Sequence, residues 1–343
     1  MSEPGAPAAA PGLVLVMGAG NIGCFVGGSL QAAGVPVQYI GRPRVLSALR
    51  RHGLTLTDLD GHRTQLPASA LACSETLAPL RPALVLLAVK SGATREAAAA
   101  LARALPAATP VLSLQNGIGN VEAAREAAAA LDVIGGMVAF NVAELAPGHF
   151  HRGTDGVVAA AEHPALTAWQ PWFARAGLTL ALNADMRGVQ WAKLLLNLNN
   201  PVNALSGLPL RKQLLTRGYR LAFAQLQGEA LRVLRAARIE PARLTPLPPH
   251  WLPLVLRLPT PLFRLVAAKM LRIDDKARSS MADDLAHARP TEIDAICGEV
   301  VRMARGLGLE APLNARITTL VRDLAVAPRR YSARELQRAL SLR

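Results

Sequence analysis

Residues 13–17 (LVLVM) form a short apolar run that stops at Gly18-Ala19-Gly20-Asn21-Ile22-Gly23, and residues 21–33 are small and apolar up to Gly34. A buried strand, a G-x-G-x-x-G turn and a helix closed by glycine leave few folds open. The first glycine permits the tight turn, the second lets a phosphate approach the backbone, and the third lets the helix pack on the strand. A second strand, residues 37–41 (VQYIG), follows, and Val45, Leu46 and Leu49 recur at helical spacing. The parallel βαβ crossover therefore closes within about thirty residues. In that context the turn reads as a Rossmann dinucleotide site lined by Gly18, Ala19, Gly20, Asn21, Ile22 and Gly23, with the helix N-terminus facing the pyrophosphate. The bland alternative is an ordinary glycine-rich turn.

Further apolar runs at 83–89, 111–114 and 133–140 alternate with Ala-rich helical stretches at 93–105 and 119–131. That alternation predicts a doubly wound sheet with helices on both faces. Residues 54–66 alternate around Asp60-Gly61, which suggests a small inserted hairpin. Beyond about Leu182 the spacing turns helical, over 188–206, 213–238, 261–271 and 291–307. A chain of 343 residues suits two domains. The expectation is α/β: a flexible tail over 1–11, an N-terminal Rossmann doubly wound sheet over 12–184, and an all-helical C-terminal domain over 185–343.

With 51% hydrophobic and 18% charged residues, a sizeable core forms and global disorder is excluded. The three cysteines, Cys24, Cys73 and Cys297, fit neither a disulfide framework nor a zinc site. No metal is expected, the N-terminal residues do not read as a signal, and a reducing cytoplasm is the simplest location. The net charge of +14 raises nucleic acid and membrane as partners. Its arginines are spread along the chain with no run of five, so neither partner is expected. Segment 251–271 is apolar, but Pro253, Pro259, Pro261, Arg257, Arg264 and Lys269 break it into pieces too short and too charged to span a bilayer. It reads as a buried or lid-forming pair of helices. A homodimer is compatible with the sequence, which does not fix oligomeric state.

Where an NAD-binding unit places an acid for the ribose, the sequence has Ile40-Gly41-Arg42. A guanidinium there can pair with a 2′-phosphate, which favours NADPH/NADP+ as cofactor; alternatively Arg42 is one solvated arginine among many. Only five of the 38 basic residues are lysine, at 90, 193, 212, 269 and 276. A position that keeps lysine in so arginine-rich a chain is a candidate for a point charge, or for an amine whose pKa can move. Lys90 ends the strand 83–89, on the carboxyl edge where ligands of open α/β sheets bind. Lys193, Asn197 and Asn200 fall on one helix face, as a polar pocket wall or as an exposed stripe.

These residues resemble the ketopantoate reductase (2-dehydropantoate 2-reductase) family of the 6-phosphogluconate-dehydrogenase-like group. The likeness runs through the glycine turn, Gly41-Arg42, Val89-Lys90, Gln115-Asn116-Gly117-Ile118-Gly119 and Trp191-Ala192-Lys193 with Asn197. It continues in Ser279-Ser280-Met281, then Asp284, then Thr291-Glu292-Ile293-Asp294. The resemblance implies NADPH-dependent reduction of a 2-oxo acid, ketopantoate, to pantoate in pantothenate biosynthesis. By the same resemblance Arg42 holds the 2′-phosphate, and Lys90 and Asn116 contact the cofactor. Lys193 is the proton donor, Glu292 supports it, Asn197 and Asn200 hold the substrate hydroxyl end, and Ser280 holds its carboxylate. Thr291 and Asp294 also fit a helix-start capping box, which leaves Glu292 free. The family pattern separates the two asparagines by four residues, whereas Asn197 and Asn200 are three apart, with Pro201 next. Asn199 and Asn203 therefore stay open as the second amide. The departure, with the Pro-rich insert at 244–271, keeps another branched 2-oxo acid open as substrate, and a non-catalytic NADP-binding sensor remains the reading from another class.

Overall fold

The computed structural model describes residues 11–268, 271, 273–274, 277–327 and 329–340. Apart from residue 11, the expected tail lies outside them, as does Lys269. The chain divides into two units: residues up to Gln115 with Gly119–Met186, and Asn116–Ile118 with the residues from Arg187 on.

The first unit runs β1 (Val14–Met17), α1 (Asn21–Ala32), β2 (Val37–Ile40), α2 (Pro43–His52), β3 (Leu54–Asp58), β4 (Arg63–Leu66), β5 (Ala72–Ser74) and β6 (Leu84–Leu87). It continues through α3 (Thr94–Ala104), β7 (Pro110–Ser113), α4 (Asn120–Ala127), β8 (Asp132–Val138), β9 (Val142–Ala146), β10 (His149–Arg152), β11 (Val158–Ala161), α5 (Pro164–Thr167), α6 (Gln170–Arg175) and β12 (Leu180–Asn183). Eight strands form one sheet in the order β12-β11-β8-β7-β6-β1-β2-β5. The chain reverses its strand order at β1, where Val14 pairs with Val37 on one side and Leu84 on the other. Alternate residues feed opposite cores: Val14, Val16, Leu84 and Leu86 pack with Phe25 and Leu30 of α1, while Leu15, Val85 and Leu87 pack with Leu101 of α3 and Val121 of α4. Both faces are covered, so the strands read as unbroken apolar runs.

Several features go beyond the sequence reading, which did not identify β5, β9, β10, β11 or β12. The hairpin β3–β4 exists, but it belongs to a second sheet, β4-β3-β10-β9, in which β3 pairs in parallel with β10. Strand β11 enters the main sheet antiparallel to β8, so the winding is not parallel throughout.

At the turn after β1, Gly18 has φ +110°, and a β-carbon there would sit 2.6 Å from the backbone nitrogen of Val89. A β-carbon on Gly23 would overlap the carbonyl oxygen of Gly18. Both positions exclude a side chain, Gly18 by conformation and crowding together, Gly23 by crowding alone. Gly20 differs, with no atom within 4 Å of where its β-carbon would be.

The second unit has helices α7 (Met186–Asn197), α8 (Asn199–Ser206), α9 (Leu210–Leu215), α10 (Arg217–Ala236), α11 (Leu252–Arg257), α12 (Thr260–Val266), α13 (Ser280–Ala286), α14 (Ile293–Gly306), α15 (Pro312–Val326) and α16 (Ala333–Leu340). No strand occurs among its described residues. Its core gathers Leu194 and Leu195 of α7, Phe223, Leu226 and Val233 of α10, Val300 of α14 and Ile317 of α15. Helix α15 begins after Ala311 without a side-chain cap of its own. Buried Glu229 of α10 supplies one from a distance, accepting from the N–H groups of Leu313 (3.0 Å) and Asn314 (2.8 Å) and from Asn314 Nδ2 (2.8 Å). A carboxylate there also meets the positive end of the helix dipole.

The stretch 188–206 is two helices, interrupted at Leu198, and 213–238 is likewise broken at Thr216. Prolines divide 251–271 into α11 and α12, and neither is wholly buried: Leu252, Val255, Leu256 and Phe263 face inward, while Trp251, Leu254, Leu262, Leu265 and Val266 are exposed. No helix among the described residues is long and apolar enough to cross a membrane.

Two substitutions check these readings. Gly23→Ala forces α1 off β1 and lowers stability by about 1–3 kcal/mol, whereas Gly20→Ala leaves the melting temperature near the wild-type value, as thermal unfolding will show. Glu229→Ala strands two buried N–H donors at the start of α15 and costs about 2–3 kcal/mol, measured by urea unfolding.

Candidate active site

In the first unit the glycine turn is fastened to the end of β2, because Gly18 N and Ala19 N both donate to Ile40 O, at 2.9 and 2.8 Å. Helix α1 starts after Gly20 with no side-chain cap. The N–H groups of its first turn thus lack intrahelical acceptors and point the positive dipole end outward. The open space beside Gly20 and these donors fit a pyrophosphate. Asn21 Nδ2 donates to Val142 O at 2.9 Å, which anchors that side chain beside the turn. Ala19 is buried and Ile22 packs against the core beneath the turn.

Arg42 follows two residues after β2, exposed, as the residue preceding α2. Its neighbour Arg44 pairs with Glu144 at 2.9 Å, while Arg42 has no side-chain partner among the described residues. Lys90 is half-buried just beyond β6. The ends of β6 and β7 are held by a hydrogen-bond network in which the sequence reading assigned no roles. Gln115 Nε2 donates to Val89 O (3.0 Å) and to Thr94 Oγ1 (2.6 Å), and Gln115 Oε1 accepts from Ser113 Oγ (3.0 Å). Thr94 Oγ1 lies 3.0 Å from Asn120 Oδ1. This buried set fixes the backbone just before Lys90 and the segment leading to Asn116. The signal available in sequence was that Thr94 and Asn120 open Ala-rich helices, where each reads equally well as a cap.

In the second unit Lys193 and Asn197 share one face of α7 and are buried, at 9% and 8% exposure. Burial lowers the Lys193 ammonium from the ordinary lysine value to about 8. The fold then sorts the three asparagines that follow. Asn199 and Gln213 exchange amide hydrogen bonds, both at 3.1 Å. Asn203 Nδ2 donates to Leu208 O (2.8 Å), and its Oδ1 accepts from Ser279 N (2.9 Å). Asn200 is left half-buried, with no side-chain partner among the described residues.

Ser279 caps α13, accepting from Ala282 N at 3.2 Å, and its hydroxyl donates to Asn200 O at 3.3 Å. Ser280, the next residue, is exposed at the start of the helix, so Asn200 and Ser280 come from segments tied together through Ser279. Asp284 pairs with Arg289 at 3.3 Å. Glu292 is half-buried ahead of α14 and accepts from Asn116 Nδ2 at 3.4 Å, a contact within this unit. The capping box does not form: Glu292, not Thr291, precedes the helix, and Asp294 reaches Arg322 at 2.6 Å.

The first unit thus presents an open helix N-terminus at its glycine turn, with Arg42 exposed just past β2, and the second unit carries buried Lys193 and Asn197 with Glu292 half-buried ahead of α14. These match known proteins over most of the chain. Residues 14–165 match the family described as Ketopantoate reductase PanE/ApbA, and residues 185–325 match Ketopantoate reductase PanE/ApbA C terminal. The 2-dehydropantoate 2-reductase of Pyrococcus horikoshii is 28% identical over 316 residues, covering 90% of this chain and 96% of that protein. The crystal structure of a PanE/ApbA family ketopantoate reductase from Ralstonia eutropha JMP134 is similar with a TM-score of 0.77 and 29% identity, over 92% of this chain and 98% of that one. D-mandelate dehydrogenase, in a ternary structure with NADH and anilino(oxo)acetate, shares the fold at a TM-score of 0.77 with 18% identity, over 92% of this chain and 99% of that one. The chain belongs to the ketopantoate reductase PanE/ApbA family.

Proposed function

We propose that this protein reduces 2-dehydropantoate (ketopantoate) to pantoate, a step toward pantothenate, with NADPH as the electron donor. The observation that carries the reading is Lys193: a buried lysine with its pKa lowered to about 8, on one helix face with Asn197, in a chain whose two parts both match the family.

The backbone N–H groups after Gly20 would hold the pyrophosphate, Arg42 the 2′-phosphate, and Lys90 and Asn116 the portion nearer the reacting end. When bound, NADPH supplies a hydride to the ketone carbon. Negative charge then builds on the ketone oxygen, where a positioned ammonium lowers the barrier and delivers the proton. Lys193 has that role. Its lowered pKa makes it a better donor than an ordinary lysine near neutral pH, and it returns to the ammonium by taking a proton from solvent. Glu292 keeps the cationic form available and oriented. Asn197 and Asn200 orient the hydroxyl end of the substrate, the side chain of Asn200 having no partner among the described residues. Ser280 offers a hydroxyl at a helix start to the substrate carboxylate.

Turnover of ketopantoate measured with NADPH and NADH in parallel tests the assignment, and no turnover with either at millimolar substrate overturns it. Arg42→Ala is expected to raise the KM for NADPH about 10- to 100-fold, the loss of a charge-assisted hydrogen bond, and to leave that for NADH nearly unchanged. Lys193→Ala is expected to lower kcat by about 10²–10⁴. Because the donor must be protonated, kcat/KM of the wild type should fall about tenfold per pH unit above a midpoint near pH 8, and the residual activity of Lys193→Ala should lack that limb.

A further inference from the structure

Five of the nine large apolar side chains that are exposed among the described residues lie between 251 and 266: Trp251, Leu254, Leu262, Leu265 and Val266. They follow from how α11 and α12 pack. Each helix turns one stripe inward, Leu252, Val255 and Leu256 from α11 and Phe263 from α12, and the outward stripes carry the exposed apolar side chains with Arg257 and Arg264 among them. Residues 251 and 254 are three apart, as are 262 and 265, and 266 completes the stripe of α12.

The pair is anchored. Arg220 of α10 is fully buried beneath it and donates to Leu256 O (3.1 Å), Leu258 O (2.8 Å) and Leu214 O (2.9 Å), with its guanidinium 4.2 Å from the centre of the Phe263 ring. The outward side chains therefore sit on a fixed platform. Patches of this kind mark a contact surface.

Charge decides between the occupants. From residue 241 to residue 273 the sequence has five Lys or Arg and no Asp or Glu. Arg257 and Arg264 are exposed among the apolar side chains. A second copy docked on this face by two-fold symmetry would set arginines against arginines with no carboxylate of the segment to answer them. An anionic bilayer answers both properties, because the leucines and tryptophan enter the headgroup boundary while long basic side chains reach the phosphates. We propose that the outer face of α11 and α12 binds the surface of a membrane containing anionic phospholipid, peripherally and without spanning it. This departs from the sequence reading, which excluded a span and expected no membrane partner.

The test uses the full chain with vesicles of phosphatidylcholine alone or with phosphatidylglycerol added. Trp169, Trp172 and Trp191 are buried while Trp251 is 53% exposed, so a blue shift of tryptophan emission on adding vesicles reports this face. The expected result is co-sedimentation and a blue shift with the anionic vesicles, both weakened by salt. Leu262→Ser with Leu265→Ser should weaken partitioning at least tenfold, and Arg257→Gln with Arg264→Gln about fivefold per charge. The substituted side chains are exposed, so thermal unfolding should be unchanged, which separates loss of binding from loss of fold. The proposal is overturned if the wild type does not partition onto anionic vesicles at low salt, or if both variants partition as it does. It is equally overturned if sedimentation shows a dimer that the leucine substitutions dissociate, which would make the face a subunit contact.

Discussion

The close approach of Gly23 to the carbonyl of Gly18 governs the first unit, because it sets where α1 can begin relative to β1. With no β-carbon at either position, the strand hands over to the helix within a few residues, and the Gly18 and Ala19 N–H groups bond the end of β2. The crowding of Gly18 against Val89 brings the end of β6 against the same turn. Three strand ends are thereby gathered where the strand order reverses, the place where open α/β sheets bind ligands. The helix N-terminus, Arg42 and Lys90 each follow one of these three strand ends.

Polar side chains near the candidate residues of each unit fall into two groups. Gln115, Thr94 and Asn120 in the first unit, and Asn199, Asn203 and Ser279 in the second, are spent on internal hydrogen bonds. Burying them is tolerable because each finds a partner, and the rigidity they confer positions their neighbours. Arg42, Asn200 and Ser280 have no such side-chain partner among the described residues. Neighbouring residues of the same type, such as Ser279 and Ser280 or Asn199 and Asn200, can thus differ in whether the fold consumes their side chains. Two adjacent serines look alike in sequence; only the packing of α13 on α8 shows which one is consumed.

This division also explains what could be read from the sequence. Five strands of the main sheet, β1, β2, β6, β7 and β8, were legible because they are apolar and largely buried on both faces, whereas the short strands β5, β11 and β12 were not read. The second sheet was not, since β10 (HFHR) is short and polar and finds its partner β3 nearly a hundred residues earlier. The helical unit was legible as helical, yet the break at Leu198 has neither proline nor glycine at the break itself to announce it. Capping was misread at Thr291 for a related reason: Asp294 is taken by Arg322, a partner from α15 that no local pattern contains. The cap on α15 is just as remote, coming from Glu229 on α10. Local periodicity therefore specified elements, and long-range polar contacts specified their ends.

The two buried cations are accommodated in different ways, and the difference bears on the role proposed for Lys193. Arg220 stays charged at any accessible pH, and the fold accommodates it by converging backbone carbonyls and an aromatic face on the guanidinium. That solution fits a structural anchor, because the charge never has to change. Lys193 is buried to a similar degree, but its amine responds by lowering its pKa to about 8. An arginine there would hold its proton too tightly to give it up, and a fully solvated lysine would hold its proton more tightly than Lys193 does. Only a buried lysine combines a positive charge for a developing oxyanion with a proton that can leave near neutral pH.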